Sequence, residues 1–250
     1  MPSFQHNGIE TAFLDEGEGE PVVLVHGFAS NKEVNWVQPG WVTALKGAGR
    51  RVIALDNRGH GASTKLYDVE AYSVDKMGGD VIALLDHLNI ERADVLGYSM
   101  GGRITGYVAS AHPERVRSAI IGGIGIRLTI SASNSEAIAA ALEAPNASDV
   151  TDPQAIGFRL FAEQTKSDRR ALAACMRNPH RTISREAAAS IRVPVLVATG
   201  TKDDIAGSGP ELVALIPGAK LLDIPGRDHM RAVGDAVFKK GVLEFLAQRP

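Results

Sequence analysis

The sequence predicts an α/β fold, a mostly parallel twisted sheet with helices on both faces and a small helical insertion. Three observations carry this. Short, continuous β-branched runs recur along the chain, as in strands buried on both faces of a parallel sheet. Helical patterns lie between those runs, which argues for crossover connections and a doubly covered sheet. From about Gly125 to Ser190 the alternation stops, and alanine-rich helical patterns take over.

The chain begins with a hairpin pattern. Asn7-Gly8 suits a type I′ turn because both positions tolerate positive φ, and Phe4–His6 can pair with Ile9–Leu14 across it. Glu16–Pro21 reads as a polar turn. Strands are expected at Val22–Val25, Val52–Leu55, Ala93–Leu96, Ala119–Ile121, Val193–Val197 and Leu221–Ile224. Helices are expected at Trp41–Ala48, Val74–Leu88, Met100–Ala111, Glu211–Ile216 and Ala232–Ala247. The second is the best defined: Ser73 is a plausible N-cap, and Val74, Met77, Val81, Leu84, Leu85 and Leu88 fall on one face. The insertion offers helices at Asn134–Glu143, Asp152–Glu163, Asp168–Met176 and Ser184–Ser190, with Pro145, Pro153 and Pro179 near its breaks. The expected division is a core of residues 1–124 and 191–250 with a cap of 125–190.

A chain of 250 residues is long enough to bury a substantial core. Hydrophobic residues at 44% and charged residues at 22% are ordinary for a folded globular protein and argue against disorder. The formal charge of −2, with no basic stripe, gives no reason to expect a nucleic-acid partner. The single cysteine, Cys175, cannot form an internal disulfide and reads as a buried neutral residue. The N-terminus lacks a basic region followed by an apolar one, and no apolar run approaches the ~18–20 residues that span a bilayer. A cytoplasmic protein without a membrane span is therefore the expectation. No metal motif is found, and no cofactor is expected.

The strongest chemical signal is Gly97-Tyr98-Ser99-Met100-Gly101, directly after one expected strand and directly before a helix. The pattern G-x-S-x-G gains meaning in that context. The chain must reverse sharply, so small residues are needed two positions either side of the serine. The helix that follows points free N–H groups and its positive end at developing negative charge. The competing reading is a tight glycine turn whose serine only caps the helix.

A serine hydroxyl needs a base in reach, and the base needs a group to orient it. Of seven histidines, only His229 follows the last expected strand, on the sheet edge where ligands of open α/β sheets bind. The acid should follow Val193–Thr199, where Asp203 and Asp204 are both candidates. Asp228 is too close to His229 in sequence to be a first choice.

Together with His26-Gly27-Phe28 and Asp56-Asn57-Arg58-Gly59-His60-Gly61-Ala62-Ser63, these motifs resemble the α/β-hydrolase superfamily, in its compact ester-hydrolase branch. The resemblance covers nearly the whole chain and is weakest in the insertion. It implies a triad of Ser99, Asp203 and His229, the glycine-to-acid spacing selecting Asp203 over Asp204. It also implies an oxyanion hole built from the backbone N–H groups of Phe28 and Met100. His26 and His60 then read as structural residues, with Asp56 and Arg58 bonded to backbone.

The expected activity is hydrolysis of a small-molecule carboxylic ester or related acyl bond. Cleavage of a carbon–carbon bond or an enol-lactone, and a ligand sensor with little turnover, share the same skeleton. Ser99 argues against the aspartate-nucleophile reading of dehalogenases and epoxide hydrolases. Phe28, Met100, Phe158, Leu160, Phe161 and Met230 are candidates for an apolar pocket. The insertion carries Arg127, Arg159, Lys166, Arg169, Arg170, Arg177, Arg181 and Arg185. An inward arginine would suit a substrate carboxylate, against the plainer reading of a solvated helix face. Oligomeric state is open.

Overall fold

The computed structural model describes residues 2–131 and 134–249. The expected cap is therefore described except at Ala132 and Ser133, and the termini except at Met1 and Pro250.

One eight-stranded sheet runs through the protein in the order β1-β2-β4-β3-β5-β6-β7-β8. Its strands are β1 (Ser3–His6), β2 (Ile9–Glu16), β3 (Glu20–Val25), β4 (Arg50–Leu55), β5 (Ala93–Tyr98), β6 (Val116–Gly122), β7 (Val195–Gly200) and β8 (Lys220–Ile224). β1 pairs antiparallel with β2, and β2 antiparallel with β4, while β3 to β8 are parallel. Asn7 (φ 48°) and Gly8 (φ 76°) make the positive-φ turn expected between β1 and β2.

The β-branched runs bury both faces because side chains alternate with period two. Val23, Val25, Ile53, Leu55 and Val95 pack on one side, against α2 (Val74–His87) and α3 (Met100–Ala111). Val22, Leu24, Val52, Ala54 and Leu96 pack on the other, against α1 (Trp41–Gly47) and the C-terminal helix.

The expected helices of the insertion form as α4 (Ser135–Glu143), α5 (Pro153–Gln164), α6 (Arg169–Arg177) and α7 (Arg185–Ser190). Asp152, Asp168 and Ser184 cap α5, α6 and α7 through side-chain bonds to backbone N–H groups. Helices α4 to α6 share an apolar cluster of their own, which includes Ile138, Leu142, Leu172 and Met176 and rests on Phe28 and Ala29. α7 instead buries Ala188 against the main core.

Two expectations are corrected. The helix expected over Ala232–Ala247 starts later, as α10 (Ala236–Gln248); after α8 (Gly209–Leu215), Ala232 closes a separate short helix, α9 (His229–Ala232). Gly234 interrupts the pattern, and Asp235 restarts it by accepting the Val237 N–H. Ser73 occupies the N-cap position of α2 but makes no side-chain capping bond.

At the carboxyl ends of the strands, β3 lies between β4 and β5, so successive connections leave it in opposite directions. A crevice opens at such a switch point. The loops after β3 and β5 line it.

Candidate active site

Ser99 follows β5 directly and has φ 56° and ψ −112°. A side-chain-bearing residue at positive φ is strained, and the surroundings over-determine it. Its N–H donates to Gly122 O at 2.8 Å. A Cβ on Gly97 would sit 2.0 Å from Gly101 O, and one on Gly101 would sit 1.9 Å from Val25 O. Both obstacles are backbone, so glycine is required at each position. This is the physical content of the G-x-S-x-G pattern here.

Three segments bring their side chains together at Ser99. His229 Nε2 accepts from Ser99 Oγ at 3.0 Å, and its Nδ1–H donates to Asp203 Oδ2 at 2.8 Å. These bonds define one neutral tautomer, with the proton on Nδ1. Asp203 Oδ1 accepts from the N–H groups of Ile205 (3.0 Å) and Ala206 (2.9 Å), and the carboxylate is fully buried. Asp204 is exposed and touches neither histidine nor serine. The Tyr98 hydroxyl donates to His229 O at 2.6 Å, and Trp41 Nε1 donates to Val233 O at 2.7 Å. Both hold the α9 segment against the sheet.

Among the described residues, the N–H groups of Phe28 and Met100 donate to no protein acceptor. Asn35 Oδ1 accepts from Gly27 N–H at 3.1 Å and holds the loop that carries Phe28. Asn35 Nδ2 is buried without a partner. Phe28 and Met100 both line the cavity beside Ser99.

The remaining motif residues bond to the surrounding protein. His26 donates from Nδ1 to Gly27 O (2.7 Å) and accepts Asn57 N–H on Nε2 (3.0 Å). Its burial lowers its pKa. His60 donates to Arg58 O, and burial, with the adjacent His26, pushes its pKa down to about 3. Asp56 accepts the N–H groups of Lys32 and Ala62, and also the Lys32 ammonium at 2.6 Å. Arg58 bonds the carbonyls of Ala71 and Lys76 and forms a bidentate pair with Asp80. Cys175 is buried, and burial pushes its thiol pKa up to about 12, so it stays neutral.

A cavity of about 340 Å³ opens in front of Ser99 and His229. Phe28, Met100, Phe158, Phe161 and Met230 line it. Leu160 does not. It is 51% exposed, because on α5 it faces away from Phe158 and Phe161.

Of the cationic residues in the insertion, Arg127 and Arg181 line the cavity. Arg159 is buried but satisfied, bonding Ala141 O, Ala144 O and Glu163. Arg177 pairs with Glu136 and Glu143. The sequence reading missed Arg103, which also lines the cavity. Its signal was available: it lies one helical turn beyond Ser99 on α3. Asn35 was missed as well, and nothing local in the sequence marks it.

Among the described residues, no group of three His, Cys, Asp or Glu is placed to hold a metal ion. No described helix is long and apolar enough to cross a membrane.

A parallel sheet with helices on both faces, and a serine on a strained strand-to-helix turn, defines an α/β-hydrolase-type architecture. The chain belongs to the alpha/beta hydrolase fold family, whose model matches residues 20–153. It is 32% identical over 231 residues to the dihydrolipoyllysine-residue acetyltransferase component of the acetoin cleaving system of Pseudomonas putida. That match covers 85% of this chain and 59% of the relative, so the chain spans little more than half of the relative's length. Among solved structures, it is similar to the enol-lactonase from Burkholderia xenovorans LB400, with TM-score 0.84 and 25% identity over 99% of this chain and 100% of that one. It is also similar to a hydrolase from Pseudomonas aeruginosa PA01, with TM-score 0.83 and 26% identity over 98% of this chain and 97% of that one.

Proposed function

We propose that the protein is a serine hydrolase that cleaves a small carboxylic ester or related acyl bond. The observation that carries this reading is the continuous relay from Asp203 through His229 to Ser99, at 2.8 and 3.0 Å. His229 takes the Ser99 proton on Nε2 as Oγ bonds to the acyl carbon. Asp203 holds the ring in the required tautomer and stabilises its charged form. The Phe28 and Met100 N–H groups receive the oxyanion, each such donor lowering the barrier by roughly 2.7–4 kcal/mol. The bond to the leaving group breaks, and the leaving group takes the proton from His229. Water then gives a proton to His229 and attacks the acyl-enzyme, and Ser99 recovers its own as the acid departs.

In this reading residues 125–190 act as a cap. Phe158 and Phe161, from α5, form an apolar wall over the nucleophile. A second reading, hydrolysis of an enol-lactone, is favoured by the likeness to the Burkholderia xenovorans enzyme over its full length. The chemistry at Ser99 is the same, since ring opening is also acyl transfer to the serine.

Ser99→Ala should abolish turnover of 4-nitrophenyl acetate and labelling by a fluorophosphonate probe. Retention of both would refute the assignment. Many turnovers per protein support an enzyme, and a single slow cycle supports a sensor. A panel of esters and enol-lactones separates the two hydrolytic readings.

A further inference from the structure

Four arginines line the cavity that contains Ser99; one, Arg231 on α9, pairs with Asp228 at 3.7 Å, and the other three come from three further segments. Arg103 is on α3, Arg127 lies in the turn after β6, and Arg181 precedes α7. Among the described residues, none of the three forms an ion pair, and no aspartate or glutamate lines the cavity. Arg103 spends Nη2 on Arg127 O (3.1 Å), and its Nε is buried with no partner. Arg181 bonds Asn178 O, the Ser135 hydroxyl and Met176 Sδ, all uncharged. Among the described residues, Arg127 offers only its backbone carbonyl to a hydrogen bond from a side chain and makes none with its own guanidinium.

This arrangement is electrostatically costly. Three like charges share a confined space, and a buried guanidinium edge lacks an acceptor. Elsewhere the fold pairs its buried guanidinium groups: Arg58 with Asp80, Arg159 with Glu163, Arg249 with Asp94. The chain as a whole carries −2, so the local excess does not follow from composition. The cost shows on Arg103 itself, whose pKa burial and the charges of Arg181 and Arg127 push down to about 10.

We propose that this cluster is a built-in anion site for a carboxylate carried by the substrate, so that Ser99 acts on an acyl compound with a free carboxylate a few carbons from the scissile bond. The proposal rests on the hydrolase reading above and names its substrate class. A carboxylate in the cavity would pair with the guanidinium groups and neutralise part of the cluster in a single step, with the planar fork that guanidinium groups favour. Arg103 lies one turn along α3 from the nucleophile, its N–H bonded to Ser99 O at 3.2 Å. The lining also includes Ile124, Ile138 and Met176, which suits a short hydrocarbon linker.

The test compares mono-4-nitrophenyl adipate with methyl 4-nitrophenyl adipate, which differ only in the remote charge. The native protein should favour the acid at least tenfold in kcat/KM, and the preference should shrink as salt is raised. Arg103→Met and Arg181→Met should each lower that ratio at least threefold. The ratio is the readout because general damage to folding or to Ser99 lowers both rates together. If Arg103→Met does not fold, Arg181→Met decides. A native ratio at or below one, or a ratio unmoved in the folded variants, overturns the proposal. If the native protein hydrolyses neither ester, calorimetry with adipate and dimethyl adipate decides instead. Preferential binding of adipate upholds the carboxylate site and leaves the hydrolase reading refuted, and equal or absent binding overturns the site.

Discussion

Asp203→Asn is the sharpest probe of the relay, because the structure dictates how an amide must fail there. The carboxylate uses both oxygens as acceptors, Oδ2 from His229 and Oδ1 from the N–H groups of Ile205 and Ala206. Asparagine replaces one of those acceptors with a donor. If its oxygen faces His229, its NH₂ opposes two backbone N–H groups, each left unsatisfied at roughly 1–3 kcal/mol. If its oxygen faces the loop, only the histidine contact changes, so this orientation wins. The NH₂ then donates to Nδ1 and drives the imidazole proton to Nε2, the atom that must accept from Ser99. The serine loses its base while the fold and the cavity stay intact. The turnover number should fall about 10⁴-fold, ~5 kcal/mol of barrier. KM should move little, since Asp203 does not line the cavity. Asp204→Asn, at an exposed neighbour, should keep kcat/KM within about threefold. Steady-state hydrolysis of 4-nitrophenyl acetate, with urea unfolding as a control, reads both. If Asp203→Asn keeps more than a tenth of the activity, or Asp204→Asn is the crippled variant, the assignment of the acid is wrong.

Two further outcomes concern stability. Lys32 and Asp56 form a buried ion pair at 2.6 Å, so Lys32→Met should cost about 3–5 kcal/mol by leaving the carboxylate unpaired. Lys240→Met, at an exposed 3.7 Å pair with Glu244, should cost less than about 1 kcal/mol in the same urea titrations, and equal losses would refute the contrast. His60 stays neutral in the folded state down to about pH 3, whereas the unfolded chain protonates it near 6.5. Its contribution is complete above pH 6.5 and is lost as pH falls toward 3, amounting to about 2 kcal/mol by pH 5. Buried His26 acts in the same direction. Unfolding free energy measured from pH 7.5 to 5 should therefore fall with acid, and a His60→Gln variant with an equally steep fall would show that His60 is not a source of it.

Much of this protein was determined by sequence alone, where the signal is local. The β-branched runs mark strands buried on both faces because period-two alternation leaves no polar side. Gly97 and Gly101 mark the turn because any Cβ there strikes backbone. The position of His229 after the final strand followed from chain order, since the carboxyl ends of parallel strands share one edge. The local signal failed where two helices met end to end around Gly234, because period 3.6 carries across a short break. It also left Asp203 and Asp204 open until the family spacing was applied, since adjacent carboxylates have the same chemistry.

What only the tertiary structure decided is which side chains converge. Arg103, Arg127 and Arg181 are separated by 24 and 54 positions along the chain, yet they line one cavity. Sequence cannot distinguish an inward arginine from a solvated one, because either sits equally well on a helix or turn. The difference lies in the packing of α3 against β6 and of the segment before α7 against both. That packing leaves three part-buried positive charges with no acid to meet among the described residues.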